Sequence, residues 1–531
     1  MTRPTRRLPR LAAIMAVTLL GVLAALPAQA AQPRWDPITG TGSTWSQNAL
    51  DQWRANASVN YQMTVNYSGV GSSAGRRDFI AGSIDYAVSE IPFELHPDDG
   101  STPEVPPRGF AYMPIVAGGT AFMYHLTIGG KRVNNLRLSG ETITKIFTGA
   151  ITNWSDPAVQ ADNPGLAMPN TGIVPVVRSD GSGSTAQFTS WMAAQHSALW
   201  NTFCTAVGRT SPCGMTSQYP IFGTAKGQNG SSGVAGYVSQ GYGEGAITYV
   251  EYSYALESGF PVAKVLNSAD YYVEPTRDSV AVALMKAKIN TDPAPDKYLT
   301  QILDGVYNNA DPRTYPLSSY SYMIVPTEVK PPAVFTASKG ATLGRFANYM
   351  LCEGQQQAGD LGYSPLPMNL VLAGFEQIKR IPGAGEWGTM PSDCNNPTFK
   401  PGESPDANQL ALTAAQPAAC DKRGPEQCKE STGGAPDATT DSATNDDTTD
   451  TAGAGGDAVA YDENGNPISG ANAGGRAVAS PFTLESEGWG WQQSAMLGAV
   501  GLLLAAVMLP PFVLPRLRRA DGSDTKTGTQ R

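Results

Sequence analysis

Apolar positions along the chain recur in short runs, each followed by a turn rich in glycine and serine and then by apolar residues at helical spacing. Tyr61, Met63, Val65 and Tyr67 alternate with polar neighbours, as a half-buried strand does. Gly69, Gly71, Ser72 and Ser73 then open a short helix with Phe79 and Ile80 on its apolar side and Gly82 placed to end it. Trp45, Ala49 and Trp53 recur every fourth residue and predict a helix starting near Thr44, which is suited to cap it. "SIDYAVSEIPF" reads as a strand that ends at Ser89-Glu90 and is stopped by Pro92. "GIVPVV" is a further strand, short or at an edge because of Pro175. After it, Phe188, Trp191, Met192 and Leu199 mark one helix face. Ile247, Tyr249 and Glu251 alternate with Thr248, Val250 and Tyr252 as a buried strand. Helical spacing makes Trp53 and Trp191 core residues.

Three of these turns deliver hydroxyl side chains to a helix start: "GTGSTW", "YSGVGSSAG" and "RSDGSGST". The first turn of a helix has unpaired N–H groups and the positive end of the helix dipole, which suits an anion. One such turn is ordinarily only a capped helix. Three in one chain, one of them carrying Arg178, point to an oxyanion cradle.

Both ends of the chain have a different character. Residues 1–30 combine a basic start, an apolar stretch and Ala28-Gln29-Ala30, the pattern of a secretory signal peptide. Residues 494–515 carry no charge and, at about 1.5 Å per residue, are long enough to span a bilayer. Trp489 and Trp491 precede this segment. Arg516, Arg518 and Arg519 follow it, which predicts a cytoplasmic tail over 516–531 and an extracytoplasmic body. Between body and anchor, 430–484 is rich in Gly, Ala, Thr and Asp, too poor in apolar surface to offset its ordering entropy. As a flexible coil it reaches roughly 40 Å. Its acidity contributes to the net charge of −9, which therefore says little about the body.

An even number of cysteines in an exported chain predicts disulfides. Proximity favours Cys204–Cys213 and Cys420–Cys428, leaving Cys352–Cys394 and a cysteine-containing extension over 401–429. His96, His125 and His196 lie far apart and no C-x-x-C occurs, so no metal centre or other cofactor is expected. "GSSAG", Gly71 to Gly75, formally matches the nucleophile-elbow pattern of hydrolases. The pattern is short, the chain has 57 glycines, and no histidine is placed to complete a triad. An enzyme is not expected.

With "DYAVSE" added, the turn motifs stand in an order and spacing that resembles the phosphate-binding proteins of bacterial ABC phosphate importers, over about residues 35–381. "GAITYVEYSYA", "YPLSSYSYMIVP" and "GYSPLP" are further landmarks. The resemblance implies an α/β periplasmic-binding-protein fold of two lobes and a hinge within 31–400. The first lobe would comprise about 35–115 and 325–385, the second about 116–324, with phosphate in the cleft between them. It implies that the Thr44 hydroxyl, the Trp45 N–H, the Ser72 hydroxyl, Arg178, Ser182, the Gly183 N–H and Ser184 bind phosphate, with Asp180 holding the Arg178 guanidinium. The family commonly has an aspartate where Glu90 stands. A carboxylate there accepts the proton that phosphate still carries and repels sulfate, which has none to give. The partners implied are inorganic phosphate, the importer's permease and, through 494–515, the lipid bilayer. Nucleic acid is not among them, and a monomer is expected. The alternative use of the same architecture is a tethered surface sensor or adhesion protein for phosphate or a related oxyanion.

Overall fold

The computed structural model describes residues 35–97, 99–386 and 394–435. The expected signal peptide, the expected membrane span over 494–515, the cytoplasmic tail and the tether from residue 436 onward lie outside the described residues. Among the described residues no helix is long and apolar enough to cross a membrane.

Strand and helix alternate from the start. Strand β1 (Ile38–Gly42) leads into helix α1 (Gln47–Tyr61), β2 (Val65–Gly69) into α2 (Ser72–Ala81), and β3 (Tyr86–Ser89) into the loop containing Glu90. β1 runs parallel to both β2 and β3. β4 (Phe110–Tyr124) is long and wholly buried. The second half repeats the pattern: β5 (Val174–Arg178) precedes α3 (Gly183–Gln195), and β6 (Lys226–Gln228) precedes α4 (Gly230–Ser239). β7 (Ala246–Glu251), β8 (Val262–Leu266) and β9 (Ser318–Pro326) complete the framework. The order across the sheet is β2-β1-β3-β9-β4-β7-β5-β6, with β8 also on β4.

β4 carries the sheet from one half to the other. Its residues 110–119 pair with β9, and Thr120 to Tyr124 pair with β7. Ser321 of β9 stands opposite Val116 and Tyr322 opposite Pro114, so Ile115 is the extra residue of a bulge in β4. Buried ring contacts such as Phe122–Phe188 and Phe147–Tyr249 fill the second half, and Trp53 and Trp191 are buried as their spacing predicts.

One detail differs from the sequence reading. α1 begins at Gln47, not near Thr44, with Ser46 at its cap position. Thr44 is released from capping because its hydroxyl is engaged with Ser231 instead. Of the two readings for β5, short or at an edge, the first holds: it has five residues and lies between β7 and β6. Its pairing with β6 begins only at Val176, so Pro175 stands clear of that neighbour.

All three disulfides pair as expected, Cys204–Cys213 and Cys420–Cys428 by proximity and Cys352–Cys394 as the remaining pair. Beyond Cys394 the chain runs as a strap over both halves. Asn396 and Thr398 donate to the Leu366 carbonyl, at 3.2 and 2.7 Å. Ala411, in a short helix, packs on Ala281 and Val282. Lys264 Nζ, on β8, meets both Asp421 oxygens at 2.8 and 2.9 Å. The strap continues past the boundary at 430: Thr432 Oγ1 donates to the Val262 carbonyl at 2.6 Å, and the Gly433 N–H donates to Glu274 Oε1 at 2.8 Å. The first residues read as tether are therefore part of the packed body, because their backbone finds partners that composition does not reveal.

Candidate functional site

Four helix starts meet between the two halves, one more than the sequence motifs predict. The Gly183 N–H at the start of α3 donates to Ser72 Oγ at the start of α2, 3.1 Å away. The Ser231 N–H in the first turn of α4 donates to Thr44 Oγ1, just before α1, at 3.1 Å, and the two hydroxyls lie 2.8 Å apart. The Ser73 N–H donates to the Gly181 carbonyl across the same divide. The α4 start was missed as a site element. Its signal was available, since "NGSSG" at Asn229 to Gly233 has the same character as "GSSAG".

Arg178, at the end of β5, is buried, and its guanidinium is held by Asp180: Nε donates to Oδ1 at 2.7 Å and Nη2 to Oδ2. Nη1 reaches Ser231 Oγ at 3.4 Å. Burial raises the Asp180 carboxyl, but Arg178 and the Gly230 N–H more than offset this and hold it below the ordinary aspartate value. Gly71, with φ +91°, lets the chain pass close to Asp180, where a Cβ would crowd Oδ2. Tyr249, beneath Arg178, is pushed up to about 12 by burial, moderated by the Thr185 hydroxyl.

Glu90 is fully buried and collects three hydroxyls. Ser43 Oγ and Ser321 Oγ donate to Oε1 at 2.5 and 2.6 Å, and Ser72 Oγ donates to Oε2 at 2.8 Å. Its backbone carbonyl accepts from the Gln187 and Gln301 amides at 2.8 and 3.0 Å. Ser43 is one of the hydroxyls the first turn offers, but Ser321, Gln187, Gln301 and Ser231 were not singled out from the sequence. Ser321 lies in the landmark "YPLSSYSYMIVP", but nothing local in that strand points to Glu90, far back along the chain.

The other expected residues divide by their partners. The Trp45 N–H donates to Ser43 Oγ at 2.9 Å, and the Trp45 ring is buried against Tyr363. Ser182 Oγ caps α3 by accepting the Thr185 N–H. Ser184 Oγ is buried without a hydrogen-bond partner among the described residues, which leaves a donor at the start of α3. Ser73, centre of the hydrolase-like motif, has Ser217 and Arg76 as partners, neither of them a base.

Formal charge alone would not draw an anion here, because Asp180 offsets Arg178 and Glu90 adds a negative charge. At about 4 Å and an effective dielectric near 20, each such charge is worth about 4 kcal/mol, so the net single negative charge works against an anion. Any attraction must come from the convergent N–H and O–H donors of the helix starts, since each hydrogen bond to a charged group is worth about 1.5–3 kcal/mol and several together exceed that repulsion. The arrangement suits a tetrahedral oxyanion that both accepts many bonds and has a proton to give.

A model of the PBP superfamily domain matches residues 27–353. The phosphate-binding protein PstS of Xylella fastidiosa (strain Temecula1) is 31% identical over 345 residues, covering 65% of this chain and 85% of that protein. The chain belongs to the PstS family of the PBP superfamily. PstS 3 of Mycobacterium tuberculosis (strain H37Rv) is 30% identical over 336 residues, covering 62% of this chain and 82% of its own. A high-affinity periplasmic phosphate-binding protein solved with bound phosphate at pH 8.5 aligns with a TM-score of 0.48 and 18% identity, covering 64% of this chain and 92% of that one. The PstS match and the α/β fold agree with the resemblance read from the turn motifs.

Proposed function

We propose that this chain captures inorganic phosphate between its two lobes outside the cytoplasm and delivers it to the permease of an ABC importer. It performs no catalysis of its own. The observation that carries this reading is the convergence of four helix starts, from both halves of the sheet, on a buried arginine and a buried carboxylate. The names of its PstS relatives point the same way.

In this reading the Thr44, Ser72, Ser182 and Ser184 hydroxyls and the Trp45 and Gly183 N–H groups turn to the phosphate oxygens, displacing their present mutual bonds. Arg178, kept in plane by Asp180, offers two parallel donors. Glu90 accepts the phosphate proton and excludes sulfate. The lobes, about 35–115 with 325–385 and about 116–324, close on the ligand around β4 and β9. Residues 1–30 direct export, and 494–515 hold the monomeric chain at the membrane, where tethering raises its concentration beside the permease.

Calorimetric titration of the full chain, freed of carried-over ligand, tests the reading. One-to-one phosphate binding with no sulfate heat is expected, and Glu90→Gln is expected to narrow that preference. A folded sample silent to phosphate refutes the reading.

A further inference from the structure

We infer that Ser321 is a positioning residue that orients the Glu90 carboxylate for selection between oxyanions, an inference that rests on the phosphate reading above. Ser43 and Ser72 lie in the turns expected to hold phosphate and have their own bonds there: Ser43 Oγ accepts the Trp45 N–H, and Ser72 Oγ accepts the Gly183 N–H. Ser321 is different. It comes from β9, on the far side of Glu90, and is fully buried beside the bulge that skips Ile115. Its hydroxyl has one hydrogen to give, and Glu90 Oε1 receives it at 2.6 Å.

The two carboxylate oxygens are consequently unequal. Oε1 takes two donors, Ser43 and Ser321, while Oε2 takes only Ser72 and faces Gly183, where a Cβ would fall on it. The oxygen with acceptor capacity left is thereby the one turned to the start of α3. Glutamate has one more side-chain torsion than aspartate, and without a restraint that torsion would let the carboxylate rotate its free lone pairs away from the ligand. Ser321 supplies the restraint from the hinge strand, while Gln187 and Gln301 hold the Glu90 backbone.

The test compares the full wild-type chain with Ser321→Ala and Ser321→Thr. Phosphate affinity is measured by calorimetry, with the sulfate concentration needed to displace half of it. A hydrogen bond to a charged group is worth enough that Ser321→Ala is expected to lower the phosphate-over-sulfate ratio about 10-fold. Ser321→Thr, which keeps the hydroxyl, is expected to stay within about 2-fold of wild type. Glu90→Asp is expected to change the ratio less in the Ser321→Ala background than in wild type, since the two residues act together. Should Ser321→Ala fail to fold, Ser321→Cys, a poor donor of similar size, replaces it. An unchanged ratio in the donor-deficient variant overturns the inference, as does an equal loss for both anions that threonine does not restore. Wild-type protein that is folded but binds no phosphate refutes the functional reading itself, and this inference with it. Wild-type phosphate binding with an unchanged ratio in the variant refutes only the role of Ser321.

Discussion

Arg178 and Asp180 face each other as a two-pronged pair, Nε on Oδ1 at 2.7 Å and Nη2 on Oδ2, two residues apart, the arginine buried and the aspartate partly so. The pair fixes the plane of the guanidinium and leaves Nη1 directed at Ser231. Arg178→Ala should therefore lose most phosphate affinity, roughly 100-fold or more, because a charge-assisted fork has no neutral substitute. Arg178→Lys should recover little of it, since a point charge does not reproduce the plane. Calorimetry on both variants decides. Near-wild-type affinity in Arg178→Ala would remove this residue from the site.

Gly183 sits where a methyl group would collide with Glu90 Oε2 and crowd Ser72 Oγ. Gly183→Ala should leave the protein folded but hold the two halves apart at this point, weakening phosphate binding by at least about 10-fold through lost closure. Small-angle scattering should show a larger radius for the variant with phosphate than for wild type with phosphate. Equal radii and equal affinities would mean that the cleft has slack the structure does not show.

Lys264 and Asp421 tie the C-terminal strap to β8 and are both largely buried. Removing either partner alone should destabilise the protein by about 3 kcal/mol, since the other charge is left without compensation. The paired change Lys264→Met with Asp421→Leu should recover most of that loss. Chemical denaturation of the three variants measures it. A single variant as stable as wild type would show that the strap is held by its other bonds.

Two carboxyls, one partly and one fully buried, should respond to pH with opposite signs. Asp180 is held below its ordinary value, so its contribution is present above about pH 4 and is lost as pH falls through its folded value. Asp180→Asn should flatten the acid side of the stability profile. Burial holds Glu251 well above the ordinary glutamate value. Its contribution is therefore complete below about pH 4 and declines as pH rises toward the folded value. Glu251→Gln, which cannot ionise, should gain in Tm relative to wild type between pH 4 and pH 8. Parallel Tm profiles for variant and wild type would contradict either assignment.

Much of the strand and helix order was legible in the chain itself. Short alternating runs, turn glycines and hydroxyls before helices are local signals, and they identified β2, β3, the helix after Arg178 and three of the four helix starts. The disulfides were legible too, because two pairs are close in sequence and the third follows by elimination. Thr44, Ser72 and Arg178 stood out for one local reason, polar residues concentrated at a turn before a helix, whereas Glu90, at a strand end, stood out through the family resemblance. The partners of these residues were not legible. Ser321 meets Glu90 across 231 positions and Ser231 meets Thr44 across 187. The strap meets β8 across 157. No periodicity or composition encodes such contacts, which depend on how β4 and β9 bring the halves together. The sequence by itself determined which groups are available to hold an oxyanion. Only the tertiary structure decided which hydroxyl faces which carboxylate oxygen, because a side chain's single hydrogen goes to whichever acceptor the packed backbone places nearest.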